Sequence, residues 1–253
     1  MVTPGIPPGG VATRTDALLD GRVTLRQPVS GYRVAVDPVL LAAAVPADAG
    51  ARVLDLGCGV GAAALCLLAR VPGVRVVGLE RQAELAALAR TNAALNDGPQ
   101  SFLPVVGDVA RPPFRTDGAF DQVFANPPYQ RAGRGHAPAE PLARAANLED
   151  AAGLDTWIAS ACRLVRRKGT VTLIHRADRL DEILAALAGR AGGIVVVPVR
   201  PHADADARRV IVRARPGSAA PLRLTRPLVL HAADGADTPA ARAILRGAAA
   251  LEI

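Results

Sequence analysis

From residue 52 onward, short apolar runs alternate with longer stretches in which apolar residues recur at helical spacing. The runs are RVLDLG at 52–57, RVVGLE at 75–80, LPVVGD at 103–108 and DQVFANPP at 121–128. Short runs that are apolar without strict alternation suit parallel strands covered on both faces, and the stretches between them, at 62–70 and 82–95, are long enough for crossover helices. The same pattern predicts a helix over 152–167, a strand over 169–175, a helix over 178–190, and two further strands, IVVVPVR at 194–200 and ARRVIVRAR at 207–215. Only residues 201–206 join the last two. That link is too short for a crossover helix, so strand 207–215 is predicted to run antiparallel to its neighbours. Ahead of residue 52 the pattern predicts a hairpin through 22–34 and a helix over 38–45, with Asp37 as its cap and Pro38 in its first turn. The sum is an α/β fold: a mostly parallel sheet with helices on both faces over 51–216, an N-terminal extension at 1–50 and a C-terminal one at 217–253, all in a single domain.

The chemistry gathers where the predicted strands end. Asp55-Leu56-Gly57-Cys58-Gly59-Val60-Gly61 spans a strand-to-helix junction, where glycines let the backbone turn sharply and approach a ligand closely. Gly57, Gly59 and Ala62, with Glu80 further on, also satisfy the dinucleotide pattern G-x-G-x-x-A. The sharper signal is an acid closing each successive run: Asp55, Glu80 and Asp108. In an open parallel sheet these ends line one crevice, so the three carboxylates converge on an elongated ligand. A ligand with an amine, a ribose and an adenine uses all three. Glu80 suits the ribose hydroxyls, Asp108 an adenine amino group, and Asp55 a network around an ammonium.

Asn126-Pro127-Pro128-Tyr129 follows the fourth run. Consecutive prolines hold the backbone extended and remove two amide donors, which leaves carbonyls on offer. Such a motif accepts hydrogen bonds. An exocyclic amine on a conjugated ring is a poor nucleophile because its lone pair is delocalised. Accepting its two hydrogens at the Asn126 side-chain oxygen and the Pro127 carbonyl favours a pyramidal nitrogen with the lone pair aimed at an electrophile. Tyr129 can stack on the ring.

With these residues in place, the chain resembles the class I S-adenosylmethionine-dependent methyltransferases: DLGCGVG looks like their first motif, Glu80 their ribose acid, Gly107-Asp108 their adenine-binding acid, and NPPY their amine-methylating signature. The resemblance implies a Rossmann-like seven-stranded sheet whose last strand is antiparallel. It also implies S-adenosylmethionine as cofactor, bound by Asp55, Gly57, Gly59, Glu80, Asp108, Val109 and Asn126, with Asn126, Pro127, Pro128 and Tyr129 as the catalytic motif. A finer resemblance, carried by QPVSGYRVAVDPVLLAAAV at 27–45, the spacing to NPPY, and LVLHAADG at 228–235, is to the tRNA1(Val) adenine-N6 methyltransferases, which modify adenine 37 beside the anticodon. It implies a tRNA partner, contacted by Tyr32 and Arg33. Arg131, Arg134 and Arg144, in the loop after NPPY, are candidates to clamp phosphates. The chain departs from the family near its end: Ala236 and Asp237 precede Thr238 where relatives often carry an aromatic.

Composition adds a compartment and a charge distribution. Cys58, Cys66 and Cys162 are odd in number and match neither a disulfide framework nor a zinc site, and the four histidines lack ligand spacing. No metal is expected. No apolar run reaches membrane length, and the proline-rich start does not resemble a signal peptide, so a reducing cytoplasm and a monomer are expected. The net charge is +7, and residues 163–226 carry 14 basic against 5 acidic side chains, the electrostatic footprint expected of a polyanion's partner. Three other functions compete. A methyltransferase acting on a release-factor glutamine shares NPPY but usually has a helical domain ahead of the cofactor motif, where this chain has a predicted hairpin. An inactive RNA-binding module of the same fold would have lost its acids or its NPP turn. A nicotinamide oxidoreductase leaves Asp108 and NPPY without a role.

Overall fold

The computed structural model describes residues 12–30, 34–96, 98, 100–129 and 153–253. It opens with a hairpin of β1 (Thr13–Leu18) and β2 (Val23–Pro28), paired antiparallel from Thr13 opposite Pro28 to Leu18 opposite Val23. The hairpin therefore lies ahead of the predicted 22–34. Its turn is Leu19-Asp20-Gly21-Arg22, with Leu19, Asp20 and Gly21 all left-handed, and Asp-Gly is a strong hairpin signal. β1 is polar nearly throughout, so it carries little of the alternation that marks a strand.

Seven long strands build the main sheet: β3 (Arg52–Leu56), β4 (Arg75–Glu80), β5 (Phe102–Val106), β6 (Phe120–Ala125), β7 (Val165–Arg176), β8 (Ala191–Arg200) and β9 (Arg209–Pro216). Two-residue strands from the C-terminal extension, β10 (Arg223–Leu224) and β11 (Leu228–Val229), both pair with β8 and bring the sheet to nine. The order is β10-β8-β9-β7-β6-β3-β4-β5. β9 is antiparallel to both β7 and β8, as the short link over 201–208 requires. β3 pairs in parallel with β4 on one side and β6 on the other, so the chain reverses its winding between β3 and β6. The crevice beyond the carboxyl ends of those two strands is the topological switch point, where ligands bind in open α/β sheets.

Helices cover both faces. One apolar layer joins α1 (Asp37–Ala44), α2 (Ala62–Arg70), α3 (Ala83–Leu95) and α6 (Pro239–Leu245); the other is built on α4 (Leu154–Leu164) and α5 (Leu180–Leu187). Every residue of α1 is buried, and the C-terminal tail passes over it, with the Leu251 amide donating to the Ala43 carbonyl at 2.8 Å. No helix among the described residues is long and apolar enough to cross a membrane.

The hairpin is fastened to the sheet by two asparagines one turn apart on α3. Asn92 accepts from the Arg26 amide at 2.7 Å and donates to the Arg26 and Val60 carbonyls, both at 2.9 Å. Asn96 treats Thr24 in the same way, accepting at 2.8 Å and donating at 2.7 Å. Their amides stand in for a third strand along an otherwise open edge. Asn92 is fully buried, so Asn92→Ala is expected to cost about 2–4 kcal/mol by stranding three backbone groups. Denaturant unfolding measures this directly, and a loss below about 1 kcal/mol would contradict it.

Candidate active site

Three glycines shape the loop between β3 and α2, each with positive φ: Gly57 at 72°, Gly59 at 55° and Gly61 at 88°. Space distinguishes them. A Cβ on Gly57 would lie 2.4 Å from the Trp157 ring, and one on Gly61 would lie 2.5 Å from Phe102, whereas one on Gly59 would meet nothing within 4 Å. Packing fixes the first and third, and the second faces open space at the crevice.

Two buried carboxylates stand beside that space. Glu80, at the end of β4, accepts from the Gly59 amide at 3.0 Å and the Gln82 amide at 2.8 Å. Burial raises its pKa above the ordinary value, and the backbone donors Gln82, Gly59 and Arg81 moderate the rise. Asp55, one pleat from the end of β3, is 3% exposed, and its Oδ2 has no hydrogen-bond partner among the described residues. Burial first, and the Glu80 charge second, push its pKa well up. Two adjacent carboxylates held out of water favour a ligand bringing hydrogen-bond donors and positive charge. Asp108 is exposed and accepts from the Ala110 amide at 2.8 Å, while its neighbour Val109 is buried.

Asn126 leaves β6 directly beside this loop, because Ala125 and Leu56 are register partners at the ends of their strands. The motif is braced from two sides. The Tyr129 hydroxyl lies 2.6 Å from Asp37 Oδ2 and 2.7 Å from Asn126 Oδ1. Arg209 Nε donates to Asp37 Oδ2 at 2.9 Å, and its guanidinium carbon sits 4.7 Å from the centre of the Tyr129 ring. Burial lowers the Arg209 pKa, but the Asp37 charge and the hydrogen bonds to Asp37 and Tyr129 outweigh it. Beneath the motif, His175 meets the Tyr129 ring edge to face at 5.1 Å and places Nε2 3.3 Å from the Pro128 carbonyl. Burial drives His175 to a pKa of about 4, so it is neutral near pH 7 and its Nε2–H donates to that carbonyl. Asp37 was expected to cap α1, but it makes no capping hydrogen bond and turns instead to Tyr129 and Arg209. One face of the Tyr129 ring is covered by Arg209. Tyr32, Arg33, Arg131, Arg134 and Arg144 lie outside the described residues.

A family model described as "Methyltransferase small domain" matches residues 30–153. A tRNA1(Val) (adenine(37)-N6)-methyltransferase from Porphyromonas gingivalis is 30% identical over 235 residues, covering 89% of this chain and 91% of the relative. The chain belongs to that family. Its class I methyltransferase fold is matched by the crystal structure of an Agrobacterium tumefaciens protein described as a predicted O-methyltransferase, with a TM-score of 0.72 and 31% identity over 85% of this chain and 98% of that one. A release factor glutamine methyltransferase from Pasteurella multocida is 30% identical over a shorter stretch, 52% of this chain and 48% of the relative.

The cofactor of this methyltransferase is S-adenosylmethionine, and the crevice fits it: an open approach at Gly59, an unpartnered buried carboxylate oxygen at Asp55, and a second carboxylate at Glu80. Ionised carboxylates are the forms that hold a cationic, hydroxyl-bearing ligand. Because Asp55 and Glu80 take up protons above the ordinary carboxylate range, affinity is expected to fall as the pH drops, beginning above that range. Calorimetry across pH checks this. Affinity that stays constant down to about pH 4, where unperturbed carboxylates titrate, would contradict it.

Strand polarity divides the arginine-rich stretch of the methyltransferase between two poles. Arg176, Arg200, Arg208 and Arg209 lie at the active-site end, interspersed with Asp178, Asp204 and Asp206. Arg163, Arg166, Arg167, Lys168, Arg190 and Arg215 lie at the other, where Asp117, Asp121 and Asp155 pair with Arg163, Arg166 and Arg190, while Arg213 and Arg223 lie midway along the sheet. The poles are about 25 Å apart, the rise of eight strand residues. The contiguous basic segment is therefore not a contiguous basic surface at the active site.

Proposed function

We propose that this methyltransferase transfers a methyl group to the exocyclic N6 of an adenine in tRNA, at position 37 beside the anticodon. The observation that carries the reading is the Asn126–Tyr129 motif, set at the switch point beside the cofactor loop and braced from α1, β7 and β9. His175 occupies the Pro128 carbonyl, and the Asn126 side-chain oxygen and the Pro127 carbonyl are the acceptors for the two hydrogens of an incoming amine in this reading. Accepting both draws the nitrogen towards a pyramidal geometry and frees its lone pair for attack. Bound S-adenosylmethionine supplies an electrophilic methyl group on its sulfonium sulfur. No strong base is needed beforehand, because the nitrogen becomes acidic once alkylated. An unpaired anticodon-loop base reaches such a pocket at lower cost than a duplex base. A cytoplasmic location follows from that substrate and from three free cysteines.

The P. gingivalis relative favours tRNA over a release-factor glutamine, since it matches nearly the whole chain. The test is incubation with labelled S-adenosylmethionine and separate pools of tRNA, ribosomal RNA and release factor. Label confined to tRNA is the expected result. Label in the release factor alone would overturn the proposal.

A further inference from the structure

The hydroxyl of Tyr129 has one hydrogen and faces two oxygens, with the Arg209 guanidinium as a further donor to the phenol oxygen. As placed, Asp37 Oδ2 at 2.6 Å and Asn126 Oδ1 at 2.7 Å would both need that hydrogen. A carboxylate can only accept, and Asp37 is held as one by Arg209. The hydrogen therefore goes to Asp37. The phenol oxygen is left to accept, and the Asn126 end facing it must be a donor. Half a turn of the Asn126 amide provides one, because its oxygen and nitrogen exchange places with almost no change in shape. Every contact then joins a donor to an acceptor, and the Asn126 oxygen points away from Tyr129. If Tyr129 instead donated to Asn126, the amide would offer its NH2 group outward, and an incoming amine would meet donors where it needs an acceptor.

Resting on the amine-acceptor reading above, we propose that Arg209 and Asp37 are positioning residues: acting through the Tyr129 hydroxyl, they set which end of the Asn126 amide meets the substrate, and so favour an amine over a group with no hydrogen to donate. The chain of contacts runs from β9 through the first residue of α1 to the loop after β6, joining residues 172 positions apart. Asp37→Asn is the informative substitution. It keeps the shape but adds an NH2 that can donate to the phenol oxygen, releasing the hydroxyl hydrogen towards Asn126 and reversing the amide. Tyr129→Phe removes the relay and leaves the Arg209–Asp37 pair in place.

The experiment combines a double-mutant cycle with a readout independent of activity. Single-turnover methylation of tRNA at saturating S-adenosylmethionine is expected to slow by about 10- to 100-fold in Asp37→Asn and in Tyr129→Phe, with cofactor affinity retained. The double variant is expected to fall within about twofold of the slower single variant, because both act through one hydroxyl. Losses that multiply would show that Asp37 acts outside the relay and would overturn the proposal. In protein labelled with 15N-asparagine, the Asn126 side-chain NH2 signals, assigned by their loss in Asn126→Ala, are expected to shift in both single variants. An unchanged NH2 signal in Tyr129→Phe, which needs no folding rescue of the ion pair, would also overturn it. NH2 signals that shift in the variants as described, together with a wild-type protein that methylates no tRNA, would refute the substrate reading and leave the relay standing.

Discussion

Asn126→Ala is expected to lower turnover by about two to three orders of magnitude while leaving S-adenosylmethionine affinity nearly unchanged. In the proposed mechanism the side-chain oxygen accepts from the attacking amine, and that contact strengthens as the nitrogen pyramidalises and gains positive charge. The glycine loop and the carboxylates proposed to hold the cofactor come from β3 and β4, not from this residue. Single-turnover rates and calorimetry separate the two quantities. A variant with a near-normal single-turnover rate would remove the amine-acceptor mechanism.

Glu80→Ala should act in the opposite way, weakening cofactor binding by about 100-fold or more. Two hydrogen bonds from ligand hydroxyls to a charged group are lost, each contributing about 1.5–3 kcal/mol. The Gly59 and Gln82 amides lose their acceptor at the same time, so the loop that presents Gly59 loosens as well. Glu80→Gln retains one acceptor oxygen and is expected to fall between the two, and calorimetry reads both variants. A change smaller than about threefold in Glu80→Ala would mean that the ligand does not engage this carboxylate.

The placement of these two residues at strand ends was legible in the sequence because it is set locally. Each lies where an apolar run ends, and a parallel sheet brings such ends together whatever the details of packing. The reversal of β9 was legible for a similar reason, since a short link excludes a crossover. What escaped depends on contacts between distant segments. Nothing near Asp37 in sequence distinguishes a helix cap from a partner of Arg209 on the last long strand. Nor does anything near Tyr129 show that its hydroxyl is engaged: the sequence pointed to the ring, and the structure gives the hydroxyl Asp37 and Asn126. Asn92 and Asn96 look like surface residues of a helix until β2 lies against them. The hairpin lies earlier than expected because β1 is polar and carries little hydrophobic alternation, while the Asp20-Gly21 turn sets its position. The arginine-rich segment shows the same limit for charge: strands that reverse direction send neighbouring arginines to opposite poles.

The central claim is that Asn126 directs methyl transfer to an adenine amine in tRNA. It is tested most directly by digesting tRNA treated with the wild-type protein or with Asn126→Ala, each with S-adenosylmethionine, and identifying the methylated nucleoside and its position by mass analysis. N6-methyladenosine at position 37 with the wild type, and only a trace with the variant over the same single turnover, is the predicted result. Equal yields from both proteins, or a methyl group on any atom other than an adenine amine, would contradict it.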